Sequence, residues 1–274
     1  MTTEDTDNSD GRNAARLVRS RYEQRVRHLA RISELQMRSP AVRETIVTRQ
    51  PAEAAYWLDQ MIRGAIWGRE YDLDALLGFV FWLVRNPRGG KHYEFLEQLY
   101  RIAHEHDVRT VLYLLQNPPP HQALASEARL PDVRLPLDRD DITVGERRTI
   151  ARKGSRDIVK RLTLDPHPLV IENVLENTDT TESDVLKIAA RRPTKPAILR
   201  RVVQHTDWFG RLNVRKALVL NPYNDTGMSL KLLPTIGIDA LRNVRFGSDV
   251  HENLGDAAEY LVDMRETHTS PWEV

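Results

Sequence analysis

Three segments in the second half of the chain align without gaps, and each one ends at a proline. They read IVKRLTLDP, VLKIAARRP and VRKALVLNP, and they end at Pro166, Pro193 and Pro222. In each segment a β-branched residue stands eight positions before the proline and a lysine six positions before it. Proline lacks an amide donor and restricts the residue before it, so it stops a helix. The recurring proline therefore predicts a repeated helix.

A shorter helix is predicted after each of these prolines. The segments are PLVIENVLEN, then KPAILRRVVQH with Thr194 as its N-cap, then TGMSLKLLP with Asn224 or Asp225 as its cap. The prolines lie 27 and 29 residues apart, which leaves room for two helices and two tight turns. One such pair cannot bury its apolar face alone, so neighbouring pairs must stack. We predict an all-α chain whose residues 142–236 form an α-solenoid of stacked short helix pairs.

The segment VRKALVLNPYNDTGMSLKLLP resembles the leucine-rich repeat variant and HEAT-like helical repeats of bacteria, whose units also run apolar helix, Asn-Pro, short turn, apolar helix. The resemblance covers about residues 142–236 and implies an armadillo-type fold. Some proteins of this kind hold a cysteine-ligated iron–sulfur cluster. This chain contains no cysteine, so no such cofactor is expected.

The first half is also predicted to be helical. Residues 1–10 are polar and predicted to be disordered, and residues 11–130 form an N-terminal helical region. A long helix is predicted from about Arg12 to Arg38, and Ser39-Pro40 is predicted to open the next one as N-cap and first helical residue. A buried helix is predicted from Leu73. The endings FVFWLVRNP and TVLYLLQNP leave open whether this region is a degenerate start of the same stack.

Two further boundaries follow from prolines and capping residues. Residues 131–141 are predicted to be a loop or linker, and Thr143 and Glu146 are spaced as a capping box for the helix that follows. Residues 237–274 are predicted to form C-terminal capping helices and a tail.

Composition excludes several function classes. The 40 basic residues balance 39 acidic ones, and the net charge is +1, so the chain as a whole is not strongly attracted to polyanions. The polar amino terminus has no apolar stretch of a secretory signal, and the longest apolar run, Leu76 to Val84, is about half a membrane span. A cytoplasmic protein is expected. The phosphate-loop, dinucleotide-binding and catalytic-serine motifs are missing, so no enzyme is predicted.

The repeated lysines are the main candidate for a partner-binding surface. Lys160, Lys187 and Lys216 lie about 200° around the helix from the β-branched position, so they face outward if that position faces the core. In stacked pairs they form a row with a spacing of about 10 Å. The arginines expected to flank this lysine row are Arg161, Arg191, Arg192 and Arg215. Such a row could meet phosphates or an acidic protein face, or it could simply be a solvated helix face.

Other candidate sites have ordinary structural explanations. The first helix is rich in arginine and is predicted to cap the domain, with binding to an anionic surface as the alternative. His104, His106 and Asp107 fit no metal motif, and the aspartates at 138, 140 and 141 lack calcium-loop spacing. Trp208, Phe209 and Tyr223 fall at repeat junctions, as core residues or as anchors for a partner.

The sequence therefore predicts a non-enzymatic scaffold without cofactor or metal, which binds another protein or a second copy of itself. The alternative is nucleic-acid binding through the lysine row and its flanking arginines. Both hypotheses rest on the predicted fold and on the charge pattern.

Overall fold

The computed structural model describes residues 4–86, 89–119, 142–247 and 250–267, with side chains from residue 16 onward. Over these residues the protein is all-helical, with 16 α-helices and no strand. The N-terminal region holds α1 (Glu4–Ala30), α2 (Leu35–Val47), α3 (Pro51–Ile66), α4 (Glu70–Arg85), α5 (Tyr93–Glu105) and α6 (Arg109–Leu115).

The second half continues with shorter helices. They are α7 (Val144–Lys153), α8 (Arg156–Leu162), α9 (Pro168–Leu175), α10 (Glu182–Ala190), α11 (Pro196–Gln204), α12 (Thr206–Phe209), α13 (Leu212–Val219), α14 (Thr226–Leu232), α15 (Ile238–Arg245) and α16 (Glu252–Thr267). Short 3-10 helices lie at Gly90–His92 and Leu233–Thr235. The predicted loop at 131–141 lies outside the described residues.

Helix α4 forms the centre of the N-terminal region, as its almost wholly apolar sequence predicts. Its residues from Ala75 to Val84 are all buried, and α1, α2 and α3 pack around it. Gly78 allows α2 to come close, because a Cβ at this position would lie 3.1 Å from Val42 Cγ2 and 3.3 Å from Arg38 Cγ. A larger residue at Gly78 would force α2 away from the core.

The predicted boundary between the first two helices is wrong. Helix α1 begins at Glu4, within the stretch predicted to be disordered, and ends at Ala30. Helix α2 begins at Leu35, so Pro40 lies inside it and is not the first helical residue. Packing explains the difference: Ser39, Val42 and Ile46 are buried on the side that meets α4, and this burial outweighs the amide hydrogen bond that Pro40 cannot make.

A buried polar network links α1 to α4. The Tyr22 hydroxyl donates to Asp72 Oδ1 at 2.6 Å, and Arg69 pairs with the other carboxylate oxygen. Gly64 makes room for this carboxylate, since a Cβ there would lie 1.8 Å from Asp72 Oδ2. Burial raises the pKa of Asp72 above its ordinary value, against the hydrogen bonds from Arg69 and Tyr22. Tyr22 also packs edge-on against Trp57, with ring centroids 5.3 Å apart.

Two series of contacts connect the helices of residues 144–232. The helices that precede the repeated prolines, called the first helices, are α8, α10 and α13. Arg156 of α8 pairs with Asp184 of α10, Asn213 of α13 donates to Glu182 of α10 at 3.2 Å, and α10 packs directly on α13. Helices α7, α9 and α11 contact one another in turn.

Asparagine and aspartate side chains, rather than the prolines, organise the turns. The three first helices end at Leu162, Ala190 and Val219, three or four residues before the proline. Asn221, just before Pro222, donates to the carbonyls of Ala189 at 2.7 Å and Arg191 at 3.0 Å and accepts from Tyr223 N at 3.0 Å. The proline was therefore wrongly predicted to be the residue that stops the helix.

The same arrangement recurs at two other turns. Asn177 donates to the carbonyls of Ala151 at 2.7 Å and Gly154 at 3.1 Å, and accepts from Asp179 N at 2.8 Å. Asp165 accepts from His167 N at 2.9 Å. Asn177 thus satisfies carbonyls at a helix end, whereas Asp165 only accepts, from the backbone amide of His167 and from Arg147.

The two halves share one core. Helix α4 contacts both α11 and α14, and the rings of Phe81 and Phe209 lie 4.9 Å apart. The Lys231 ammonium, on α14, donates to Gln116 O at 3.2 Å and to Asn117 Oδ1 at 2.8 Å, beyond the end of α6. Across the described part of the chain, none of the helices has the length and apolar character needed to cross a membrane.

Candidate binding cleft

A cleft of about 1300 Å³ separates part of the N-terminal region from the second half. One wall is formed by α2 and the carboxyl end of α4, and the other by α9, α11 and α12. Charged and aromatic side chains line both walls. They are Arg43 and Arg85 on the first wall, and Glu172, Glu176, Arg201, His205, Asp207, Trp208 and Arg211 on the second. The volume exceeds the roughly 300–1,000 Å³ of common small-molecule pockets.

Helical spacing explains how α2 reaches the cleft. Gln36, Ser39, Pro40 and Arg43 line it, and steps of three and four residues place them on one face of the helix. Two hydrogen bonds cross between the walls. Gln36 Nε2 donates to Thr206 Oγ1 at 3.3 Å, and Gln204 Nε2 donates to the Val84 carbonyl at 3.4 Å.

Trp208 anchors the second wall. Its Nε1 donates to the Leu175 carbonyl at 2.9 Å, which satisfies an acceptor at the end of α9. Its ring lies 6.1 Å from the imidazole of His205, and both side chains are partly exposed to the cleft. Phe209, the next residue, is fully buried against Phe81. Trp208 therefore belongs to the cleft wall, and Phe209 belongs to the core.

The charges of the cleft are partly compensated. Arg201 Nη1 lies 2.9 Å from Glu172 Oε1, and this pair spans α11 and α9. Arg85 and Arg211 are exposed on opposite walls, and neither forms an ion pair within the described residues. Glu176 and Asp207 are the exposed carboxylates of the second wall. The cleft therefore offers a cation on each wall and carboxylates on one.

His205 adds a hydrogen-bonding group without a partner. Its Nδ1 is shielded from solvent and makes no hydrogen bond within the described part of the chain. Burial lowers the pKa of His205, while the charges of Asp207 and Glu176 act in the opposite direction. Burial therefore favours the neutral imidazole, whose Nδ1 lies behind the cleft surface.

The lysine row predicted from the sequence lies outside the cleft. Lys160 and Lys187 are exposed and Lys216 is half-buried, and none of the three lines the cleft. Lys160 Nζ lies 3.7 Å from Asp157 Oδ1. Of the helices that carry these lysines, α10 packs on α13, whereas α8 reaches α10 through Arg156 and Asp184.

The flanking arginines divide into exposed and buried ones. Arg161 and Arg192 are exposed, Arg192 donates to the Leu220 carbonyl, and Arg191 is half-buried. Arg215 does not belong to a surface, because it is only 3% exposed. Its guanidinium donates to the carbonyls of Phe209 at 2.9 Å and Gly210 at 2.8 Å. The expectation that Arg215 flanks an exposed lysine row was therefore wrong, since these buried acceptors hold it inside.

The other predicted sites show no assembled chemistry. His104, His106 and Asp107 are exposed at the end of α5. Within the ranges that the structure describes, no group of three or more His, Asp or Glu side chains could hold a metal ion. The aspartates at 138, 140 and 141 lie outside the described residues. Tyr223 is half-buried beside the turn that Asn221 organises.

The cleft could not be found from the sequence. Its walls come from residues 36–86 and 172–211, and only tertiary packing of α4 against α11 brings them together. No motif or local spacing links Arg85 with Arg211. Compared with protein-family models, with curated proteins and with solved structures, the chain gives no match. The resemblance to bacterial helical repeats therefore stays a prediction.

Proposed function

We propose that this chain is a non-enzymatic helical-repeat scaffold, an α-solenoid with an N-terminal helical region, that binds a segment of a partner protein. The observation that carries the proposal is the cleft of about 1300 Å³ between the N-terminal helices and the second half. Peptide segments are commonly bound in grooves between packed helices, where side chains from both walls reach them.

The cleft chemistry favours a polar, charged peptide. Arg85 and Arg211 can each bind a carboxylate, and their position on opposite walls suits two acidic residues of one extended segment. Glu176 and Asp207 favour a basic residue between them. Hydrogen bonds between the walls keep the cleft partly preformed, which lowers the entropic cost of binding.

The absence of cysteine allows a direct test. Thr178→Cys places one thiol at the cleft, where a photoactivatable cross-linker can be attached, and Glu97→Cys places one on the exposed surface of α5 as a control. In cell extract we expect the cleft probe to capture one protein that the control probe does not capture. Mass spectrometry of the cross-linked peptides should map the partner segment to the cleft.

Charge reversal provides the second half of the test. Arg85→Glu combined with Arg211→Glu should abolish the cross-link from Thr178→Cys. Arg16→Glu combined with Arg21→Glu makes the same charge change on exposed α1 positions and should leave the cross-link intact. Identical capture by both probes, or capture that survives the cleft variant, would refute binding in the cleft.

A further inference from the structure

The second wall of the cleft presents an indole ring whose polar atom is already in use. Trp208 Nε1 donates to the Leu175 carbonyl at 2.9 Å, and the side chain is partly exposed where it lines the cleft. Nε1 is the only polar atom of an indole, so the ring offers an occupant of the cleft only its carbon surface. The face of such a ring attracts cations, and tryptophan attracts them most strongly.

Two carboxylates without a partner lie near this ring. Glu176 follows Leu175 at the end of α9, and Asp207 precedes Trp208 in α12. Both are exposed in the cleft, and within the described residues neither side chain forms an ion pair or a hydrogen bond. Their charges both act on the imidazole of His205, which lies 6.1 Å from the Trp208 ring. The ring and the two carboxylates therefore surround the same imidazole.

The cations of this wall do not neutralise the two carboxylates. Arg201 is held by Glu172 at 2.9 Å. Arg211 lines the cleft, but across the part of the chain that the structure describes it neither pairs with a carboxylate nor stacks on Trp208. Burial favours the neutral form of His205. The charge of a cation is therefore missing beside the ring.

We propose that Trp208, Glu176 and Asp207 form an arginine-binding subsite of the cleft, in which a guanidinium group of the bound segment stacks on the indole ring. A guanidinium is planar and weakly hydrated, and its five N–H groups point outward in its plane. It can therefore lie on the ring while its edges donate to the neighbouring carboxylates.

Other cations suit these three side chains less well. The ammonium of lysine is compact and strongly hydrated, so it gains less from contact with the ring. A metal ion needs several oxygen or nitrogen ligands, which the face of an indole does not provide. The inference rests on the proposed peptide binding, and it names one residue type of the partner segment.

The five tryptophans of the chain allow a direct measurement. Fluorotryptophan labelling gives one fluorine NMR signal for each, and Trp208→Phe identifies the signal of Trp208. N-acetyl-arginine amide, titrated into the full chain, should shift this signal saturably. The signals of Trp57 and Trp67, which do not line the cleft, should not move. The neutral isostere N-acetyl-citrulline amide should bind more than about tenfold more weakly, and N-acetyl-lysine amide should bind more weakly than the arginine probe.

Neutral variants of the two carboxylates provide the second part of the test. Glu176→Gln combined with Asp207→Asn should weaken binding of the arginine probe by more than about tenfold. Glu97→Gln combined with Glu105→Gln removes the same charge from exposed positions of α5 and should leave binding within about twofold of the wild type. Circular dichroism checks the folding of both variants. Equal binding of the arginine and citrulline probes, equal binding of the arginine and lysine probes, or an equal loss in the control would each overturn the arginine-binding subsite.

Failure of this inference is distinguishable from failure of the proposed function. If Thr178→Cys captures a partner segment and Trp208 does not respond to arginine, the subsite is refuted while peptide binding in the cleft stands. If Trp208 responds and the cross-linker captures no segment, the subsite is supported and the proposed scaffold function is refuted.

Discussion

At the scale of single residues, buried amide side chains hold the turns of the second half. Asn177 and Asn221 each donate to two carbonyls of an earlier helix end and accept from a backbone amide two residues ahead. Both are almost fully buried. Each side chain thus connects a local turn to a neighbouring helix, and only the Asn221 turn contains one of the repeated prolines, Pro222.

Replacing Asn221 by alanine should therefore be costly. The change removes two donated bonds and one accepted bond and leaves the carbonyls of Ala189 and Arg191 unsatisfied. We expect a loss of about 2–3 kcal/mol in the free energy of unfolding. Urea denaturation checks this value. Asn213→Ala, which removes one exposed bond, should cost less than about 0.5 kcal/mol, and similar costs for both variants would contradict the argument.

Lys231 makes stability depend on pH. Its side chain is 3% exposed, and burial lowers its pKa to about 8, although Asp225 acts in the opposite direction. Between pH 8 and pH 10.5 the unfolded chain holds this proton and the folded protein does not. The free energy of unfolding should therefore rise with pH in this window, by about 3 kcal/mol from Lys231 alone.

Lys231→Met isolates this contribution. Denaturation at pH 7.5 and again near pH 10 gives the free energy of unfolding of both proteins. Relative to the variant, the wild type should gain about 2–3 kcal/mol between the lower and the higher pH. The tyrosines whose pKa is raised, Tyr22 among them, titrate in both proteins and cancel in the difference. A difference that does not vary with pH would show that the Lys231 pKa is not lowered in the folded protein.

At the scale of helices, periodicity predicts most elements, and tertiary packing determines the exceptions. The buried helix from Leu73 and the capping box of Thr143 and Glu146 are confirmed, because their signals lie within a few residues. The start of α2 was predicted wrongly, because the burial of Val42 and Ile46 against α4 involves residues far away in the chain. The cleft was missed for the same reason.

Contacts between neighbouring first helices should also be measurable. Arg156 of α8 binds the fully buried carboxylate of Asp184, which forms the capping box of α10 with Thr181. Burial raises the pKa of Asp184, but hydrogen bonds from Arg156 and Thr181 outweigh it and lower the pKa to about 2. Arg156→Ala should destabilise the fold, because the buried carboxylate then keeps only its hydrogen bonds from Thr181.

A double-mutant cycle tests this coupling. Asp184→Asn removes the buried charge, so Arg156→Ala should cost less in that background than in the wild type. Additive costs would show that Arg156 acts through its other contacts, with Thr181 and the Asp179 carbonyl. Because the pKa of Asp184 is about 2 in the folded protein, its ionised carboxylate stabilises the fold above pH 4. This contribution is lost as the pH falls towards 2. The cost of Arg156→Ala should therefore shrink in acid.

At the scale of the whole molecule, the N-terminal region and the second half should unfold together. Helix α4 is buried on one side by α2 and α3 and also contacts α11 and α14. Phe81 of α4 lies against Phe209, and both rings are at most 2% exposed. Removal of either half would expose the core of the other, so neither is an independent folding unit.

This cooperativity predicts one transition in denaturant. Tryptophan fluorescence comes mainly from Trp57, Trp67 and Trp82 of the N-terminal region, whereas far-ultraviolet circular dichroism reports the helices of the whole chain. The two signals should change at the same urea concentration. Phe81→Ala should cost about 3–4 kcal/mol and move both transitions equally, because the cavity lies at the contact between the halves. Two separate midpoints, with only one displaced by Phe81→Ala, would instead show that the halves fold independently and that the cleft between them can open as they separate.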